Sequence, residues 1–299
     1  MSTLTAAPKR PEFEATFRAP PPGFTDEQWR TFRKDGIVCI PDAIEPDQVA
    51  QYLAAIQESA GRHDNYDPAH TWKIRNAVTE HAMLRELIDH DRHVGYAYDL
   101  YGEQTRLLQA DVFMRPTGSV INHWHVDGPR SLPYRAFSPV LPLKLRIGYW
   151  LTDVEEPDMG NLVYLPGSHD AREQREFTGI GDVEGQKVVC CRAGTMTIAH
   201  ASLWHRVMRN ANPRTRVNLF LSYAPSWITG YYHYNLDWVA ELGREQRIIL
   251  RAYSDPEDLT RPPASDLPLF ATKTSPQAGL EEPHKIRCRT RYETHLGGL

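Results

Sequence analysis

From about residue 106 to 225 the chain runs as short apolar stretches of alternating character, each closed by Gly or Pro, and this pattern limits the fold more than any other feature. "LLQADVFMRP", "LKLRIGYWLTDV", "NLVYLPGSHD", "QKVVCCRAGTMTIAH" and "RVNLFLSYAP" follow one another with turn residues between them. Leu143, Leu145, Ile147 and Tyr149 fall on one side of the second run, as a half-buried strand requires. Upstream the apolar period is helical. "TDEQWRTFRKDG" predicts a short helix capped by Thr25 or Asp26, with Trp29 and Phe32 facing inward and Gly36 ending it. "IVCIP" predicts a buried strand closed by Pro41. "EPDQVAQYLAAIQESAG" predicts a helix with Pro46 near its first position, a stripe of Val49, Tyr52, Leu53 and Ile56, and Gly61 at its end. Apolar residues repeat at helical spacing over about 80–101, and "LDWVAELGREQRIILRAY" predicts a last helix before an irregular tail. Helices followed by a run of strands imply a closed or double-sheet β core with helices packed outside it.

The chain has 299 residues. Its expected organisation is a proline-rich arm, flexible or clinging to the surface, over residues 1–24, then one β domain over 25–299. A domain of that size buries a sizeable core without disulfides or a structural metal, so a metal here is expected to be functional. With 34 basic and 38 acidic residues, a net charge of −4 and no long run of either sign, the chain lacks the clustered basic footprint of a nucleic-acid binder. Cys39, Cys190, Cys191 and Cys288 form no C-x-x-C pair and read as reduced thiols. No apolar run reaches the roughly 18 residues of a membrane span, and the N-terminal residues have no apolar leader. The expectation is a cytoplasmic protein, monomer or homodimer, that meets a small molecule rather than a membrane or nucleic acid.

The stretch "INHWHVDGPR", residues 121–130, places His123, His125 and Asp127 at alternate positions, on one face of an extended segment. A second constellation, "SLWHRVMRNANPRTRVNLFLSY", supplies His205 at the end of a strand, a turn at "NANPRT", and Arg216 on the returning neighbour strand. A His-x-Asp pair with one distant His forms the 2-His-1-carboxylate set that holds Fe(II) while leaving coordination positions open. Arg216, eleven residues after His205, supplies a guanidinium that can clamp a carboxylate bidentately. The partner it suggests is 2-oxoglutarate. Spacing alone leaves both His123 and His125 eligible as ligands.

These motifs resemble the phytanoyl-CoA dioxygenase family of iron(II)/2-oxoglutarate oxygenases. The resemblance runs from "FRKDGIVCIPDAI" through "HVD", "YWLTDVEEPDMGNLVYLPGSH" and "WHRVMRNANPRTR" to "YAPSW". It implies a mainly β fold, a double-stranded β-helix (jelly roll, cupin-like) with flanking helices. It also implies His125, Asp127 and His205 as iron ligands and Arg216 as the co-substrate clamp. His123 is then left to line the pocket, and His169 and His200 are structural. Gln109 and Lys73 resemble polar residues that meet the co-substrate in relatives, with core hydrogen bonding or a solvated charge as the other reading. Phe113 stands where several relatives carry a polar residue. Asp127 implies hydroxylation or a related oxidation with release of succinate and CO2 and consumption of O2, because relatives that halogenate lack this carboxylate.

The segment "GPRSLPYRAFSPVLPLK" leaves directly from the metal pair and is expected to form a substrate lid over about 128–142, with Arg130, Tyr134, Arg135 and Phe137. Trp227 and Tyr231, in an aromatic cluster with Tyr232, His233 and Tyr234, would line the opposite wall. Arginines beside aromatics suit a polar or anionic, ring-bearing small molecule of secondary-metabolite or amino-acid type. Two other readings are open: a non-oxidative metal-dependent enzyme, and a ligand-binding β-barrel of the cupin type. The first would want a further carboxylate beside Asp127, and the second has no need of Arg216.

Overall fold

The computed structural model describes residues 18–127, 142–170, 179–230, 232–252 and 269–270. The first helix, α1 (Asp26–Asp35), starts in a capping box: Gln28 N–H donates to Thr25 Oγ1 and Thr25 N–H to Gln28 Oε1. It ends at Gly36, whose φ of 79° is the left-handed conformation glycine adopts without strain. Trp29 and Phe32 are buried, as expected. Helix α2 (Pro46–Gly61) opens on a proline at its start and buries Val49, Tyr52 and Ile56.

The helical period over 80–101 is realised as two short helices, α3 (Ala82–Arg85) and α4 (Val94–Tyr101), with a 3-10 turn at Glu86–Ile88 between them. The break has an identifiable cause. Arg18 takes both the carbonyl oxygen and the carboxylate of Asp89, at 2.6 and 2.8 Å, and His90 Nδ1 accepts from the Arg92 N–H. Side chains here compete for the groups a continuous helix would use. The last predicted helix is likewise divided, into α5 (Leu236–Ala240) and α6 (Arg244–Leu250). Gly243, in extended conformation, caps the second piece. Residues 18–24, assigned to the arm by sequence, pack on the domain: Phe24 is buried and its N–H donates to Asp99 Oδ2 at 2.7 Å.

The strands are β1 (Ile37–Ile40), β2 (Trp72–Ile74), β3 (Thr105–Arg115), β4 (Leu145–Trp150), β5 (Leu162–Tyr164), β6 (Lys187–Val188), β7 (Met196–His200), β8 (His205–Val207) and β9 (Arg216–Pro225). They form two antiparallel sheets, a large one in the order β1-β7-β4-β9-β3-β2 and a small one in the order β6-β5-β8. Strand parity divides the large sheet. Val112, Met114, Leu145, Ile147, Tyr149, Ile198, Leu219 and Leu221 join the helices in the main core. Phe113, Arg115, Arg146, Thr197, Arg216 and Phe220, of the opposite parity, face the small sheet across a cavity. A bulge between Leu107 and Gln109 resets the alternation on β3.

Two sequence expectations are corrected. His205 opens β8 rather than ending a strand, and Arg216 is not on a hydrogen-bonded neighbour of it: β8 belongs to the small sheet and β9 to the large one. The two residues therefore face a common space from opposite walls.

Candidate metal and co-substrate site

Residues 122–127 run extended beside the small sheet. His125 and His205 exchange both backbone hydrogen bonds at 2.9 Å, Asn122 N–H donates to Val207 O, and Asp127 N–H donates to Ala201 O at 2.8 Å. Trp124 and Val126 turn away into an apolar cluster with Val163 and Trp204. His123, His125 and Asp127 have the other parity, as the alternation predicts.

One ligand atom from each of His125, Asp127 and His205 lies within 4.8 Å of the others. His125 Nε2 is 3.9 Å from Asp127 Oδ1, and His205 Nε2 is 3.7 Å from Asp127 Oδ2. Each imidazole is locked in the same way. Nδ1 of His125 donates to the carbonyl of His123, and Nδ1 of His205 to that of Leu203, both at 2.8 Å. A carbonyl only accepts, so each Nδ1 carries the proton and each Nε2 presents a lone pair. Burial, then the neighbouring His125 and Arg146, hold the His205 pKa well below the usual imidazole range, in the neutral form that ligation requires. Asp127 Oδ2 is buried and accepts no hydrogen bond; its contact is an ion pair with Arg146 Nη1. Two neutral imidazole acceptors and a carboxylate are the groups a divalent cation satisfies. His123 is exposed, and it is its backbone that supports His125.

The cavity between the sheets measures about 160 Å³, and its walls include His125, Asp127, His205, Arg115, Arg146 and Arg216. Arg216 is 3% exposed. Its Nε donates to Gly160 O at 3.0 Å, its Nη1 to Asn218 Oδ1, and its guanidinium lies 5.3 Å from the Trp150 ring centroid. Burial, then Arg115 and Arg146, push the Arg216 pKa well down. A guanidinium stays charged, so the strain on this pocket is an excess of positive charge that an anion relieves. Burial likewise pushes Arg146 down to about 10.

Gln109 and Lys73 converge elsewhere. Both reach Asp111 on β3, Lys73 Nζ at 2.6 Å, and Tyr232 donates to the same carboxylate at 3.1 Å. Lys73 also lies 4.8 Å from the ring centroid of Phe113, which lines the cavity. Neither Gln109 nor Lys73 is among the cavity walls. Trp227 is 57% exposed and is not among the residues lining the cavity. His169 donates through Nε2 to Arg33 O, and His200, which accepts from the Ser202 N–H, also borders the cavity. Arg130, Tyr134, Arg135, Phe137 and Tyr231, and the lid segment up to residue 141, lie outside the described residues. Sequence reasoning missed Arg115 and Arg146. The signal was available in the alternation of "LKLRIGYW", which sends Leu145, Ile147 and Tyr149 to the helices and therefore Arg146 inward.

Residues 32–218 match the phytanoyl-CoA dioxygenase (PhyH) family, more than half of the chain. An ectoine dioxygenase of Nocardia farcinica is 25% identical over 237 residues, which cover 65% of this chain and 76% of that one. HygX of Streptomyces hygroscopicus, solved with nickel and 2-oxoglutarate, superposes with a TM-score of 0.60 at 18% identity, over 71% of this chain and 91% of HygX. SnoK, a non-haem α-ketoglutarate-dependent carbocyclase from nogalamycin biosynthesis, gives a TM-score of 0.57 at 22% identity, over 74% and 91% of the two chains. These two likenesses establish the shared jelly-roll fold. The chain is a member of the phytanoyl-CoA dioxygenase family and hence a 2-oxoglutarate-dependent iron oxygenase.

Proposed function

We propose that this oxygenase oxidises, by hydroxylation, a C–H bond of a polar small molecule of secondary-metabolite type, with His125, Asp127 and His205 as the iron ligands and Arg216 as the anchor for 2-oxoglutarate. One observation carries the reading: two imidazole Nε2 atoms and a carboxylate converge on one side of a cavity whose far wall is a buried arginine with no carboxylate partner among the described residues. Iron bound there, with 2-oxoglutarate and O2, supplies the oxidising power, releasing succinate and CO2.

The protein's own contribution is placement. The carbonyls of His123 and Leu203 keep both Nε2 atoms unprotonated. Arg216, held by Gly160 and Asn218, keeps its remaining donors turned to the cavity for the distal carboxylate of the keto-diacid. Leu162, Leu203, Val207 and Phe220 give the walls an apolar lining that excludes water from the reacting atoms. The substrate class draws on two relatives: HygX has been solved with hygromycin B bound, and SnoK acts in nogalamycin biosynthesis. Under this reading the segment 128–142 with Arg130, Tyr134, Arg135 and Phe137 covers the substrate, His123, Trp227 and Tyr231 border it, and Gln109 and Lys73 support the co-substrate side through Asp111. No helix among the described residues is long and apolar enough to cross a membrane.

Succinate release from 2-oxoglutarate with Fe(II) and ascorbate tests the reading. His125→Ala and Arg216→Ala are expected to abolish turnover. Turnover that persists unchanged in Arg216→Ala would remove the basis for the co-substrate assignment.

A further inference from the structure

Arg146 and Asp127 meet in an ion pair at the edge of the proposed metal site, and an aromatic ring lies beneath this arginine. The guanidinium lies 4.0 Å from the ring centroid of Phe220. Phe220 is the cross-strand partner of Gly148, and a Cβ at Gly148 would stand 2.7 Å from Phe220 Cε1 and 2.6 Å from Thr197 Oγ1. The missing side chain at 148 therefore lets the ring lie flat against β4, and the ring in turn forms the floor beneath Arg146. Two residues of β4 on the same inward face, 146 and 148, thus supply the cation and the space for its platform. Phe113 and Trp150 hold the same ring edge-on, at centroid distances of 5.9 and 6.4 Å.

Asp127 needs such a brace. Its backbone is tied to Ala201, and its buried Oδ2 meets Arg146 Nη1. Apart from the two imidazoles, Arg146 is the charged group within ion-pair reach of it among the described residues. An unbraced carboxylate can turn and give both oxygens to one cation, filling a coordination position that a co-substrate needs. With one oxygen engaged by the guanidinium, the other alone is offered.

We propose that Arg146 is a positioning residue of the metal site: pinned on Phe220, it orients Asp127 so that the carboxylate donates a single oxygen to the cation and leaves the open positions to the co-substrates. The proposal rests on the reading of His125, Asp127 and His205 as ligands. Partners of this kind around a ligating carboxylate are typically worth roughly tenfold to hundredfold in metal affinity.

The test is Co(II) titration of the full chain, following both affinity and the visible absorption of the bound ion, whose shape reports coordination number. Arg146→Met is expected to weaken Co(II) binding by roughly tenfold to hundredfold and to change the absorption envelope, while Arg146→Lys restores most of the affinity. Phe220→Leu keeps the charge and removes the ring face. It is expected to weaken binding less than Arg146→Met, with the same direction of spectral change, and it gives the answer should the methionine variant not fold. Wild-type affinity and spectrum in Arg146→Met, or in Phe220→Leu when that variant must stand alone, overturn the role of Arg146 if His205→Ala has lost the ion. Wild-type protein that takes up no Co(II), or His205→Ala protein that takes it up unchanged, overturns the ligand assignment and the proposal with it.

Discussion

Arg115 and Arg216 stand directly opposite one another on β3 and β9, both facing the cavity, and no carboxylate pairs with either among the described residues. Like charges directly opposite across a sheet destabilise it, so the pair is a feature the fold retains at a cost. An anion between them offsets that cost. Arg216→Met should weaken 2-oxoglutarate binding at least roughly 30-fold, the equivalent of about 2 kcal/mol, by calorimetric titration of the metal-loaded protein. Arg115→Met should weaken it less, and should stabilise the ligand-free protein by up to about 1 kcal/mol in chemical denaturation. A ligand-free protein destabilised by Arg115→Met would contradict this account.

The two histidines of the metal segment should separate cleanly. His125→Ala removes an Nε2 acceptor and should lose Co(II) uptake, whereas His123→Ala keeps the carbonyl that orients His125 and should bind within about threefold of wild type. Equal losses in both variants would show that the exposed His123 side chain ligates.

Gly148→Ala should destabilise the fold by about 1–3 kcal/mol, the usual cost of overpacking a dense interior. The added methyl group meets Phe220 and Thr197 from opposite sides, and neither is the free end of a flexible chain. Urea unfolding with an unchanged slope and a lower midpoint is the expected signature.

His93 gives the protein a pH dependence away from the site. It is fully buried on the outer side of the large sheet, with Nδ1 2.6 Å from the Tyr149 hydroxyl and Nε2 2.8 Å from that of Tyr223. Burial, then the neighbouring His90, holds its pKa well below the ordinary imidazole value. Below about pH 6.5 the unfolded chain therefore binds a proton that the folded chain refuses, so stability is full above that pH and falls as pH drops through it. The slope from this residue is about 1.4 kcal/mol per pH unit. His93→Gln should flatten the acid limb of the stability curve by that amount, and a parallel curve would show that His93 does not titrate on unfolding.

Much of this was legible in the residues. Alternation placed the strands and the inward face of 121–127; spacing left His123 and His125 both eligible and the resemblance chose His125, whose ligand atom lies within 4.8 Å of those of Asp127 and His205. What escaped was set by distant contacts. The helix predicted through 89–93 is broken by Arg18, which lies about 70 residues away in sequence. Arg146 carries no motif; alternation turns it inward, but its pairing with Asp127 arises only because β4 and the metal segment border one cavity. Gln109 and Lys73 were singled out by resemblance, yet both turn to Asp111, a buried acid on the inward parity of β3 that no spacing rule marks.

The two walls of the barrel are unequal. Among the described residues, one has six strands backed by helices, and the other has three strands of two or three residues each. All three proposed ligands come from the thin wall and the extended segment beside it, so a cation bound there would act as a clasp on the smaller of the two sheets. Because an ion that binds only the folded chain adds to its stability by mass action, iron supply would govern how long the thin wall survives proteolysis as well as how fast the enzyme turns over.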